Sequence, residues 1–173
     1  YLKTDFVTLL KDLEIRTNVK KEYKNIKGIE LADAQLNSPS PDLMKFLEEL
    51  MFIGITESRD ETRVTMLRTL KATIDLYLNT GGTFNLCKSS IIYSSAKIEL
   101  PEGWSLNSNY GRINVDGTGW VPINFETIIG GSPLVKLYLD PMNDPNKHLI
   151  YIFACDPKTN NYELNAKMES KKF

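Results

Sequence analysis

Apolar positions in the first segment of the chain recur at helical spacing. They are Leu2, Phe6, Leu9, Leu10 and Leu13. Most other positions up to about residue 25 are polar or charged, so the segment is predicted to be an amphipathic helix with a solvated face. Residues 26–40 contain glycine, asparagine, serine and proline, and this composition predicts a connection.

A second helix is predicted to begin after this connection. Ser40-Pro41-Asp42 combines a capping serine, a proline at the first helical position and a carboxylate at the positive end of the helix dipole. We expect this helix to run from Pro41 to about Phe52. Gly54 and Thr56 are then expected to bend or break it.

A third helix is predicted from Ser58, which fits a capping box with Glu61 three residues later. The glycines at 81 and 82 predict its end after Asn79, because glycine accepts the left-handed geometry of a helix stop. One face of this helix is apolar, at Val64, Leu67, Leu70, Ile74 and Tyr77.

The second half of the chain shows the pattern of strands. Residues 91–93, 97–100, 134–139 and 149–155 are short apolar runs. Residues 162–169 alternate apolar and polar positions, as in a strand with one buried face. Helices followed by strands indicate an α+β fold. We therefore predict an N-terminal helical segment over residues 1–57, and a unit over 58–173 in which an amphipathic helix packs on a small antiparallel sheet.

Charge and cysteine content exclude several classes of protein. The net charge is −1, from 21 basic and 22 acidic side chains, so no strongly basic face for nucleic acid is expected. No run reaches the roughly 18 apolar residues of a membrane span. Cys87 and Cys155 are too few for a disulfide-dense scaffold and form no zinc motif. From these residues alone, two buried thiols and one bridge are equally good interpretations.

The sequence offers little for catalysis. His148 is the single histidine, and no orienting third residue accompanies it and a cysteine. No nucleotide-binding glycine motif is present. We therefore predict that the chain is not an enzyme and carries no cofactor, with calcium as the one exception considered.

An oxygen-rich turn carries the calcium hypothesis. Its four candidate ligands are Asp140, Asn143, Asp144 and Asn146. Calcium prefers several oxygen ligands, which short acidic loops supply. The same residue types build ordinary turns by bonding to their own backbone, and the ordinary turn is the preferred interpretation.

Trp104 and Trp120 lie near or within a segment rich in glycine and asparagine. If both side chains are exposed, they form a surface on which sugar rings can stack. The commoner role of such aromatic side chains is to anchor a loop onto the core. Burial of the two tryptophans would favour that structural role.

Four segments, in this order, resemble type IV pilin-like proteins and pseudopilins. They are Ser58–Val64 with the helix that follows to Gly81, Asp116–Phe125 with Gly131-Ser132-Pro133, Leu137–Asn143, and Ala154–Pro157 with Asn161–Ser170. Two features depart from the pattern. Tyr138 replaces the usual proline, and residues 1–57 do not look like the family's apolar helix.

The resemblance implies a non-enzymatic structural subunit of a pilus-like filament or a secretion pseudopilus. It also implies a processed leader and an upstream membrane helix of about 20 apolar residues, an extracytoplasmic head at the cell surface, and other pilin-like subunits as partners. The alternative is a ligand- or carbohydrate-binding minor pilin head. In such a compartment a Cys87–Cys155 disulfide is expected to persist.

Overall fold

The computed structural model describes residues 10–11 and 13–173. The predicted helix positions Leu2, Phe6 and Leu9 lie outside the described residues. The chain divides into two compact units between Ile55 and Thr56, whereas the sequence placed the boundary after residue 57.

The N-terminal unit is helical, as its apolar spacing predicts. It contains α1 (Leu13–Lys27), α2 (Asp33–Asn37) and the first part of α3 (Pro41–Asn79). The short α2 lies within the segment predicted as a plain connection. The buried apolar side chains of the N-terminal unit are Leu10, Val19, Leu31, Leu36, Leu43, Phe46 and Leu47. The predicted serine cap is present, because Ser40 Oγ accepts a hydrogen bond from the Leu43 amide at 3.2 Å.

The helix α3 is a single element of 39 residues, so the predicted break at Gly54 and Thr56 is wrong. A helical glycine costs only about 1 kcal/mol relative to alanine, which packing elsewhere along a helix can outweigh. Ser58 is not a cap: it lies within α3, and its carbonyl accepts a hydrogen bond from Thr62 Oγ1 at 3.0 Å. A capping box is needed only where the preceding turn is not helical, since a continuing helix supplies the acceptors itself.

The C-terminal unit adds a four-stranded sheet. Its strands are β1 (Ile91–Ser94), β2 (Ser105–Leu106), β3 (Tyr151–Asp156) and β4 (Asn161–Ala166). Their order is β2-β1-β3-β4. The pairs β1–β3 and β3–β4 are antiparallel, but β1 and β2 are parallel, so the sheet is mixed and not purely antiparallel as predicted.

Two apolar runs predicted as strands, 97–100 and 134–139, are irregular. In the second run, Leu134 and Leu137 are buried, whereas Val135, which lies between them, is exposed. Leu134 and Leu137 anchor a loop to the core. Because such anchors are apolar residues separated by exposed positions, the run resembled a strand. Short 3-10 turns at Phe125–Thr127 and Pro145–Lys147 complete the unit.

The core of the C-terminal unit lies between α3 and the sheet. β4 alternates as predicted, with Tyr162, Leu164 and Ala166 partly buried and the intervening positions exposed. The fully buried side chains include Leu70, Ile74, Phe84, Trp120, Phe125 and Phe153. The chain is therefore an α+β protein.

Substitution of Leu70, a core residue of α3, tests the packing of this helix in the C-terminal unit. The Leu70 side chain is 1% exposed, so Leu70→Ala is expected to lower the free energy of unfolding by about 2–5 kcal/mol through lost contacts and a residual cavity. Leu76→Ala is the matched control, because Leu76 lies on the same helix and is 42% exposed. Urea unfolding measures both variants. Equal losses in the two would contradict this packing.

Candidate functional site

The most concentrated set of polar contacts surrounds Arg63, whose side chain is fully buried. Its Nε and Nη2 atoms donate to the two carboxylate oxygens of Asp140, at 2.6 and 2.9 Å. Its Nη1 atom donates to Asp60 Oδ1 at 2.7 Å and to Glu169 Oε2 at 2.8 Å. One guanidinium group therefore contacts three carboxylates from three parts of the chain.

Arg59 extends this group of charges. Its Nε and Nη2 atoms donate to the two oxygens of Glu169, both at 2.6 Å. We refer to Arg59, Asp60, Arg63, Asp140 and Glu169 as the Arg63 cluster. Two guanidinium groups face three carboxylates, so the cluster carries a formal charge of −1.

The Arg63 cluster joins the long helix to the end of the sheet. Asp60 and Arg63 lie one turn apart on α3. Glu169 follows β4, and the Asp60 carboxylate also accepts the backbone amides of Glu169, at 3.0 Å, and Ser170, at 2.7 Å. The segment that leaves β4 is therefore fixed to α3 through both its side chain and its backbone.

Charge pairing sets the protonation of the cluster. Burial alone would raise the pKa of Asp60, but the amides of Ser170 and Glu169, together with Arg63, hold that pKa below its ordinary value. The Arg59 guanidinium, and then Arg63, lower the pKa of Glu169 against the effect of burial. Burial acts to lower the pKa of Arg63, but its carboxylate partners raise that pKa overall.

Acid is expected to destabilise the C-terminal unit through these two carboxyls. A carboxyl with a lower pKa in the folded state binds protons more readily when the chain is unfolded. Its contribution to the free energy of unfolding is complete above the unfolded pKa of about 4, and is lost as the pH falls through the folded values. Urea unfolding between pH 7 and pH 2 measures this loss.

Asp60→Asn provides the control for the acid effect, because it removes one titrating group of the Arg63 cluster. The variant is expected to be less stable at pH 7 and to lose less stability on acidification. An unchanged pH dependence in Asp60→Asn would assign the effect to other carboxyls.

Arg63 is not part of the apolar face predicted for this helix, yet its side chain is buried. One signal was available. Arg63 precedes Leu70 by seven residues, and that spacing returns to nearly the same face of a helix. A charge at a core-facing position requires a buried partner, and Asp140 and Glu169 supply it.

Asp140, the first of the four candidate calcium ligands, has protein partners in the structure. Both of its oxygens accept from Arg63, and Oδ1 also accepts the amides of Met142 and Asn143 at 2.9 and 3.2 Å. Both Asp140 oxygens therefore have hydrogen-bond donors within the protein, which favours the ordinary-turn interpretation over calcium.

The side chains of two further candidate ligands, Asn143 and Asp144, also have protein partners. Asn143 Oδ1 accepts from Ser95 Oγ at 2.9 Å, and Asp144 Oδ1 accepts from the Asn146 amide at 3.0 Å. The Asp144 contact is of the kind that Asp and Asn form with nearby backbone, whereas Ser95 lies 48 positions from Asn143 in the chain. Over residues 10–11 and 13–173, no group of three or more His, Cys, Asp or Glu side chains is arranged to hold a metal ion.

We expect the melting temperature to be the same in excess calcium and in excess chelator. A ligand that binds only the folded state must raise that temperature, and side-chain oxygens of Asp140, Asn143 and Asp144 already accept hydrogen bonds from the protein. Differential scanning calorimetry of the chelator-treated protein, before and after addition of calcium, makes the comparison. A rise with calcium that disappears in Asp144→Asn would contradict the expectation.

The two tryptophans lie in different environments. Trp120 is completely buried, its Nε1 donates to the Tyr138 carbonyl at 2.9 Å, and its ring stacks on Tyr151. This burial favours the structural role for Trp120, which anchors its loop to the core. Trp104 is 50% exposed.

Cys87 and Cys155 form a disulfide in the structure, with their Cα atoms 6.0 Å apart. Both side chains are buried. The bridge joins the segment between α3 and β1 to the central strand β3. His148 adopts a left-handed backbone conformation (φ 58°) at the end of the second 3-10 turn and lies outside the Arg63 cluster.

Comparison with known proteins returns no relative: no family model, no curated protein and no solved structure matches the chain. Within the described ranges, none of the helices combines the length and the apolar character needed to cross a bilayer.

Proposed function

We propose that this chain is the head of a non-enzymatic structural subunit of a type IV pilus-like filament or secretion pseudopilus. The observation that carries the proposal is the composition of the Arg63 cluster. Asp60 and Arg63 belong to the first of the four pilin-like segments, Asp140 to the third and Glu169 to the fourth. The residues that carry the resemblance therefore meet at one buried site.

The second pilin-like segment supports the same proposal. Its Trp120 and Phe125 are completely buried in the core of the C-terminal unit. The Trp120 indole bonds to the backbone carbonyl at Tyr138, the position where the family usually has proline. A proline at position 138 would present the same backbone carbonyl. The replacement of proline by tyrosine therefore does not remove the hydrogen bond from Trp120.

The chemistry of the Arg63 cluster suits a subunit that is under mechanical tension in a filament. Each charged group is directed at a protein partner of opposite charge, and the cluster joins α3, a loop and the segment after β4. A disulfide adds a covalent connection between two further segments. Such cross-links resist separation of the helix from the sheet when subunits pull on each other.

Under this proposal the head lies outside the cytoplasmic membrane, and its partners are other pilin-like subunits. A membrane-spanning helix upstream of the head anchors it before assembly. Each of these points is an expectation for the complete gene product.

Immunogold electron microscopy of cell-surface filaments tests the proposal. Antibodies raised against the 173-residue chain are expected to label sheared filaments, or a membrane-associated fraction if the assembly is a short pseudopilus. A strain in which the gene is deleted provides the control for antibody specificity. Detection of the protein only in the cytoplasmic fraction would refute the proposal.

A further inference from the structure

A shallow, open cleft of about 470 Å³ lies beside Trp104, at one end of the sheet. Its polar lining includes Asp156, Lys158, Asn161 and Glu163. We call it the Trp104 cleft.

The floor of the Trp104 cleft follows from the register of β3 and β4. Ala154 lies opposite Glu163, and Asp156 lies opposite Asn161. These positions alternate with the core residues Phe153 and Cys155, so they belong to the face of the sheet that points away from the core. The short side chain of Ala154 leaves the space beside Trp104 open.

We propose that the Trp104 cleft binds a saccharide, with one sugar ring stacked on the exposed face of Trp104. A sugar ring has apolar C–H faces and a rim of hydroxyl groups, each of which donates and accepts hydrogen bonds. Trp104 offers an apolar aromatic surface, while Lys158, Asn161 and Glu163 offer donors and acceptors at its edge. This combination matches both parts of the ring.

The charge of the cleft favours a neutral saccharide over a phosphate or a nucleic acid. Asp156 and Glu163 contribute two negative charges and Lys158 one positive charge, so these side chains sum to −1. A site for a polyanion is expected to be basic.

Two carboxylates of the cleft, those of Asp156 and Glu163, are held by hydrogen bonds within the protein. Asp156 accepts the Lys158 amide and Thr159 Oγ1, both at 2.9 Å, and so shapes the turn that carries Lys158. Asn165 Nδ2 donates to Glu163 Oε1 at 2.7 Å and orients that carboxylate. The site therefore lies on two paired strands and their connecting turn, where groups are positioned more precisely than on a long loop.

Binding to immobilised oligosaccharides, followed by calorimetric titration of the best ligand, tests the inference with the full 173-residue chain. The array carries oligosaccharides of glucose, galactose, mannose and N-acetylglucosamine. We expect saturable binding to at least one of them and at least about tenfold weaker binding by Trp104→Ala, since the stacking surface is lost. Tyr110→Ala is the matched control, because Tyr110 is a partly exposed aromatic residue that does not line the cleft.

Fluorescence gives a second readout, because the chain has two tryptophans and only Trp104 is accessible. The bound saccharide is expected to protect Trp104 from quenching by acrylamide. The near-ultraviolet circular dichroism of buried Trp120 shows whether Trp104→Ala remains folded. No binding to any saccharide on the array, or equal affinity in the wild type and folded Trp104→Ala, overturns the inference. It does not depend on filament assembly, so either proposal can fail without the other.

Discussion

Replacing Arg63 with alanine is expected to lower the free energy of unfolding by about 3–5 kcal/mol. The substitution leaves Asp60 and Asp140 buried with negative charge and no guanidinium partner, and Glu169 with only Arg59. Removing one member of a buried ion pair costs more than the pair contributes, because the remaining charge loses its compensation. Urea unfolding at pH 7 measures the loss.

Arg68→Ala is the matched control for Arg63→Ala, since Arg68 lies on the same helix and is exposed. Its effect is expected to stay within about 0.5 kcal/mol. Arg63→Lys tests geometry, because lysine keeps the charge but cannot donate to both Asp140 oxygens in a planar fork. A stability of Arg63→Ala equal to that of Arg68→Ala would contradict the role given to the cluster.

Loss of the Cys87–Cys155 bridge is the second large effect expected. The bridge closes a loop with a sequence separation of 68 residues. Such a closure stabilises the folded state by about 4 kcal/mol in the chain-entropy description. Unfolding of the oxidised protein, of the same protein in reductant, and of Cys87→Ser/Cys155→Ser measures the difference.

Thiol titration of the denatured, unreduced protein provides an independent check. We expect no reactive thiol, because the two cysteines of the sequence are bonded to each other. The double serine variant should be insensitive to reductant. Two reactive thiols per chain would show that the bridge is absent, and the predicted difference in stability would then vanish.

Local patterns were sufficient to predict several elements of the fold. The alternation over residues 162–169 predicted the faces of β4, and the glycines after Asn79 marked the end of α3. The predicted capping box at Ser58 was wrong, because the same residues fit a helix interior when the preceding turn is helical. The parallel pairing of β1 with the two-residue β2 had no local signal at all.

The candidate sites show the same distinction. The ordinary-turn interpretation of residues 140–146 followed from residue type alone, because Asp and Asn bond to nearby backbone. In the Arg63 cluster, Arg63 contacts Asp140, which lies 77 positions later in the chain, and Glu169, which lies 106 positions later. No local pattern specifies which distant carboxylates meet a given arginine. Likewise, the difference in exposure between Trp104 and Trp120 depends on the tertiary fold, since both residues occur in similar sequence surroundings.

The long spacing within the Arg63 cluster has a consequence for biosynthesis. A chain is made from its N-terminus, and Arg63 therefore leaves the ribosome well before Asp140 and Glu169 exist. Until Glu169 has been added, the Arg63 guanidinium lacks part of the pairing that permits its burial. The C-terminal unit accordingly completes its fold only after most of its synthesis.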